Sequence, residues 1–166
     1  MAFPGGNIVR VTPTLDTSAY GDNEVLFNAT EIPNAVSNRG GVSRLINVTM
    51  LNQNTDVIDI DIVFMQVQTN IGTINGSIGW DDDTAQAAKI LGFILVDASD
   101  PINSALGAVR IFSFSGAQTQ SGVQLPMLLQ AEGGSTSVYF SAVLRDGTPT
   151  YAADDLDFIF HIEYLD

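Results

Sequence analysis

The stretch Val57-Ile58-Asp59-Ile60-Asp61-Ile62-Val63-Phe64-Met65-Gln66-Val67-Gln68 decides the fold class. Ile58, Ile60, Ile62 and Phe64 recur at every second residue, and a strand sends alternate side chains to opposite faces. One face therefore meets a core, while Asp59 and Asp61 point to water. Further along, Val63, Met65 and Val67 make the second face apolar too, so the far end of this strand is expected to be covered on both sides.

The same period recurs outward from this strand. Ile46, Val48 and Met50 alternate with Asn47 and Thr49. Val138, Phe140, Ala142 and Leu144 share a face, as do Leu156, Phe158, Phe160, Ile162 and Tyr164. Shorter extended pieces are expected at Ile8–Thr12, Glu24–Ala29, Ala108–Phe114 and Gln124–Gln130. Arg145-Asp146-Gly147-Thr148 reads as a turn, because Asp-Gly favours tight reversal.

One helix is expected. Trp80-Asp81-Asp82-Asp83-Thr84 precedes Ala85–Leu91, and aspartates cap free N–H groups and suit the positive end of the helix dipole. Gly92 is the natural stop. Phe93–Val96, continuously apolar, reads as a strand buried on both sides. The sum is a mainly β chain: a β-sandwich or jelly-roll-like domain with one short helix. Residues 1–45, rich in Pro, Gly, Asn and Thr, are expected to form an extended N-terminal arm with the first strands, part of the same domain. Residues 46–166 are the sandwich core, and Asn34–Gly41 reads as a loop or docking arm.

Composition narrows the function. The 166 residues are 45% hydrophobic and 15% charged, which disfavours disorder. Folding should leave roughly 8,000 Å² of the roughly 26,000 Å² that the unfolded chain exposes. No cysteine is present, so disulfides and thiolate metal sites are excluded. No apolar run approaches the roughly 20 residues of a bilayer span. Met1–Gly6 has no basic or apolar region, so a signal peptide is not expected and synthesis is placed in a cytoplasm.

Nineteen acidic residues against six basic ones give a net charge of −13. Such a surface repels nucleic acid and anionic membranes. The charge is uneven. Residues 1–45 hold Arg10, Arg39 and Arg44 against Asp16, Asp22, Glu24 and Glu31, a net of −1, and the remainder carries −12.

Motifs for chemistry are missing. His161 is the only histidine, on the face opposite the aromatic row, and no Gly-x-Ser-x-Gly elbow surrounds a serine. Asp81, Asp82 and Asp83 could be imagined on calcium, but consecutive helix-start residues diverge and the patterned calcium loop is absent. Asp59 with Asp61, or Asp157 with Glu163, could pair for glycoside hydrolysis, yet a solvated strand face explains them better. Gly5-Gly6 and Gly40-Gly41 lack the Lys-Ser/Thr of a phosphate loop. The sequons at Asn28, Asn47 and Asn75 have no secretory context. Neither catalytic groups nor cofactors are expected.

The run Val11-Thr12-Pro13-Thr14-Leu15-Asp16-Thr17-Ser18-Ala19-Tyr20-Gly21-Asp22 resembles the opening of small β-rich structural proteins of tailed bacteriophages. Arg39-Gly40-Gly41 before a strand, the acidic passage leading into Ala85–Val96, and Asp154-Asp155-Leu156 before the last strand are similar too. The resemblance implies a virion component, a head decoration (cement) protein or a tail-associated piece, without catalytic residues. It implies as partners the major capsid protein and copies of the chain itself, as a trimer at three-fold positions, on the outside of the head. On that reading Phe3, Ile8, Arg10, Tyr20, Arg39 and Arg44 are the candidate docking residues. Two other classes compete. A carbohydrate-binding jelly-roll module would show an exposed aromatic platform, from Tyr20, Trp80, Tyr139 or Tyr151. An enzyme would join His161 or a carboxylate pair to convergent polar groups in a cleft.

Overall fold

The computed structural model describes residues 5–54, 56, 58–97, 103–106, 109–115 and 125–165; in the strands at 103–106 and 109–115 it describes backbone pairing and the side chain of Ile111. In chain order the elements are β1 (Gly6–Val11), β2 (Glu24–Ile32), β3 (Val42–Asn52), β4 (Asp59–Met65), α1 (Asp82–Ala88), β5 (Ile90–Val96), β6 (Asn103–Leu106), β7 (Val109–Ser115), β8 (Met127–Gln130), β9 (Val138–Asp146) and β10 (Leu156–Tyr164). Residue Phe3 and the first residues of the expected strands at Ala108 and Gln124 lie outside the described residues.

The pairing is nested. β1 pairs with β10, β2 with β9, β3 with β8 and β4 with β5, all antiparallel. The pairs fall alternately into two sheets, which β10–β3 and β9–β4 contacts complete. One sheet runs β1-β10-β3-β7-β6 with β8 also on β3, and the other runs β2-β9-β4-β5. A long hairpin rolled in this way is a jelly roll, the architecture that viral capsid and lectin domains share with cupins. The β6–β7 pair is an insertion between β5 and β8. It lies against the Asn47–Asn52 half of β3, while β8 takes the Val42–Leu45 half.

The inward rows meet as the alternation demands. Ile60, Ile62 and Phe64 of β4, Val138, Phe140, Ala142 and Leu144 of β9, and Leu156, Phe158 and Phe160 of β10 are fully buried. Phe140 lies at the centre. Its ring is 5.1 Å from Phe27 and Phe158 and 4.9 Å from Phe160, each edge-on, so it joins the two sheets.

A second layer covers the outer face of the four-stranded sheet. Val25, Met65, Ile71 and Ala88 form a separate buried cluster, with Val63, Trp80, Tyr139 and Val143 packed on it. The β4–β5 connection folds back over the sheet to supply Ile71, Trp80 and Ala88. This is the cover that the apolar second face of β4 calls for. Gly72 permits the approach: a Cβ there would lie 2.4 Å from the Ser77 carbonyl oxygen and 2.9 Å from Val25 Cγ2.

Several expectations need correction. Ile46 does not join Val48 and Met50 in the core. Between His161 and Ile162 the register slips, since His161 faces Asn47 and Ile162 faces Leu45, so Ile46 is the extra residue of a bulge and is 44% exposed. The helix ends earlier than Gly92. Asp81 caps its start by accepting the Thr84 amide, and Lys89 closes it in the left-handed conformation (φ 50°), donating its amide to the Gln86 carbonyl. Gly92 is then a strand residue of β5. That strand is an edge, not a doubly buried one, and Phe93 is half exposed. Arg145-Asp146-Gly147-Thr148 makes no tight turn either. It ends β9 in one sheet, and the chain crosses to β10 in the other.

Candidate interaction surfaces

The outer face of the six-stranded sheet is built by the strand positions between the core rows. Register places Ile8, His161 and Asn47 in one row across β1, β10 and β3, with the bulged Ile46 beside them. Glu163, Arg44 and Leu128 form the next row, and Arg10, Ile159 and Thr49 the row on the other side. Ile8 is 66% exposed and Leu128 59%. The charges on this face cancel. Arg44 Nη1 is 2.9 Å from Glu163 and Arg10 Nη1 is 3.7 Å from Asp157, which also accepts from the Thr12 hydroxyl. In a chain of −13 this face is locally neutral and carries large exposed aliphatic side chains.

Of the six expected docking residues, Ile8, Arg10 and Arg44 are brought together here. Arg39 is exposed in the turn segment before β3 and is not one of the paired positions in these rows. Tyr20 is a core residue and offers no docking surface. It is 2% exposed, donates its hydroxyl to the Leu26 carbonyl at 3.1 Å, accepts the Asp16 amide at 2.7 Å, and packs edge-on to Tyr151. Tyr151 is buried as well, so neither tyrosine belongs to an aromatic platform. Ile46, Ile159 and Leu128 were hidden from sequence reasoning: the first by the bulge, the others because face assignment needs the register.

The outer face of the four-stranded sheet carries a cleft of about 260 Å³. Val63 of β4, Val143 of β9 and Ile71 form its floor, and Ile78 and Trp80 its wall. Asp61, Arg145 and Asn23 stand at its rim. Arg145 Nη1 donates to Asp61 at 3.0 Å and Nη2 reaches the Val96 carbonyl at 3.3 Å and Asp59 at 3.8 Å. Asp59 and Asp61 are therefore clamped by one guanidinium rather than solvated freely. Partial burial pushes the Asp61 carboxyl above its ordinary range, Arg145 opposes this, and Asp59 adds to it.

His161 lies on the outer face of β10, opposite Asn47 and Ile8. Among the described residues no group of three or more His, Asp or Glu could hold a metal ion, and no helix is long and apolar enough to cross a membrane.

No protein-family profile matches the chain, and no curated protein is similar to it in sequence. Among solved structures it is similar to one of Desmodium yellow mottle tymovirus, at 11% identity and a TM-score of 0.30 over 98% of this chain and 82% of that one. A full particle of Israeli acute paralysis virus gives 12% identity and a TM-score of 0.27, covering 96% and 67%. The VP2 subviral particle of infectious bursal disease virus gives 11% and 0.23, covering 98% and 42%. The jelly-roll assignment rests on the nested strand pairing, not on these low-scoring superpositions.

Proposed function

We propose that the chain is a virion structural protein of a tailed phage, a decoration or cement protein that docks on the outside of the head through the outer face of its six-stranded sheet. The observation that carries this reading is the neutral, isoleucine-bearing face around Ile8, Ile46 and Leu128 in a strongly acidic chain. Two acidic proteins associate cheaply only where charge is locally cancelled and apolar area can be removed from water. Residues 1–45 contribute Ile8, Arg10 and Arg44 to that face, and Ile46, Leu128 and the outer positions of β10 supply the rest. Cement function needs many modest contacts repeated on a symmetric lattice, which an exposed sheet face supplies without chemistry. The resemblance of the Val11–Asp22 run to phage structural proteins points the same way.

Mass photometry and pelleting with heads assembled from the major capsid protein of the same genome test this. Wild type should bind in saturable, lattice-like stoichiometry, and Ile8→Asp and Ile46→Asp should each lose occupancy at least tenfold. Heads that stay bare with folded wild type, or that take up the variants equally well, would overturn the assignment.

A further inference from the structure

The cleft beside Trp80 lies on the side of the sandwich opposite the neutral face, and its chemistry is specific. We infer that it binds a single neutral pyranose ring, stacked on Trp80 and hydrogen-bonded at its hydroxyl edge by Asp61, Arg145 and Asn23.

Shape and size come first. A volume of about 260 Å³ lies below the usual range for drug-sized pockets and suits one substituted six-membered ring. The floor of Val63, Val143 and Ile71 and the wall of Ile78 and Trp80 are apolar, so the occupant needs an apolar face. The Trp80 Nε1–H is already donated to the Asn70 carbonyl at 3.1 Å. The indole therefore offers its ring and not its donor, which suits the C–H face of a sugar.

The rim sets the other half of the ligand. A carboxylate accepts only, a guanidinium donates only, and a carboxamide does both. Placed together they match a row of hydroxyls, each of which donates and accepts. Arg145 and Asp61 hold one another at 3.0 Å, so their orientation is fixed before a ligand arrives. An anionic ligand is disfavoured, because Arg145 is already shared between Asp59 and Asp61 and the chain carries −13. A peptide would need a longer groove. If the proposed docking face is right, this cleft faces away from the particle, but the binding inference does not depend on it.

Trp80 is the only tryptophan, so its fluorescence reports from the cleft alone. Titration of the full chain with the methyl glycosides of glucose, galactose, mannose, fucose and N-acetylglucosamine should give a saturable emission change for at least one, with a dissociation constant on the order of 1 mM. Asp61→Asn and Asn23→Gly, the second keeping the left-handed backbone at φ 64°, should each weaken that response about tenfold while the far-UV circular dichroism stays that of the folded chain. Trp80→Phe, followed by saturation-transfer NMR, should lose the sugar's ring-proton contacts. A flat response across the panel with folded protein, or binding that ignores all three substitutions, would overturn the inference.

Discussion

Asn28 Oδ1 accepts the backbone N–H of Ile71 at 3.0 Å, and Asn28 Nδ2 donates to the neighbouring Gly72 carbonyl at 2.7 Å. One carboxamide on β2 thus takes the place of a strand partner for the connection that covers the four-stranded sheet. The sequon at Asn28 has a structural use, as a clip. Asn28→Ala leaves the Ile71 amide and the Gly72 carbonyl short of a partner and should cost about 1–3 kcal/mol. The loss is local. Amide exchange at Ile71 should accelerate more than exchange in β10, and urea unfolding should give the global cost. Unchanged exchange at Ile71 would show that the cover is held by Trp80 and Ile71 packing alone.

Phe140 meets both Phe158 and Phe160 of the facing sheet, where Phe27 meets only Phe158 and Phe64 only Phe160, and it neighbours all four of these rings. Truncation to Ala removes a fully buried ring from a site that rigid sheets cannot close. The expected cost is about 3–5 kcal/mol by chemical denaturation. Ile8→Asp is the contrasting surface change and should stay within about 0.5 kcal/mol of wild type. A Phe140→Ala cost as small as that of Ile8→Asp would place the mechanical centre of the sandwich elsewhere.

The long, alternating strands were legible because burial on one face imposes period two directly on the residues. β4, β9 and β10 read correctly for this reason, and so did the cover over Val63 and Met65. What escaped depends on partners distant in sequence. The bulge at Ile46 exists only because β10 pairs across it, and the edge position of β5 depends on the order β2-β9-β4-β5. A continuous apolar run such as Ile90–Val96 looks the same whether one face or both are covered. Tyr20 shows the converse. It stood among the docking and aromatic-platform candidates, but the Leu26 carbonyl and the Asp16 amide satisfy its hydroxyl inside. Of the two candidate sites, the docking face was half legible through Ile8, Arg10 and Arg44. The Trp80 cleft was not assembled there, although Trp80 and Asp61 were each named, since its parts come from β4, β9, the connection between β4 and β5, and Asn23 before β2.

Lys89 ends α1 with φ 50° and ψ 70°, a conformation that costs a residue with a Cβ about 1–2 kcal/mol. Its side chain makes one ion pair, Nζ to Glu132 at 2.6 Å, with both groups about half exposed, and such pairs contribute little. Lys89→Gly should therefore be neutral or stabilising by up to about 1 kcal/mol. Thermal unfolding of Lys89→Gly beside Lys89→Ala separates the terms, since Ala loses the ion pair and keeps the strain. Loss of stability in the glycine variant equal to that in the alanine variant would assign the larger role to the Glu132 pair.

Asp61 makes the acidity of the cleft a stability matter. Its carboxyl is raised above the ordinary value of 3.8, chiefly by burial, against the pull of Arg145 and with a push from Asp59. A carboxyl whose folded pKa is raised favours the fold while it is protonated. That contribution is complete below the unfolded value and is lost as pH climbs through the folded one. Asp61→Asn cannot ionise, and its side-chain oxygen can still accept from Arg145. The variant should therefore gain on wild type as pH rises from about 3 to about 7, with the difference growing across the window just above 3.8 and flat beyond it. Other carboxylates titrate in both proteins and largely cancel in the difference. Urea midpoints of the two proteins, measured side by side through that range, read it directly. A difference that moves the opposite way would mean that the Arg145 pair, and not burial, governs this carboxylate.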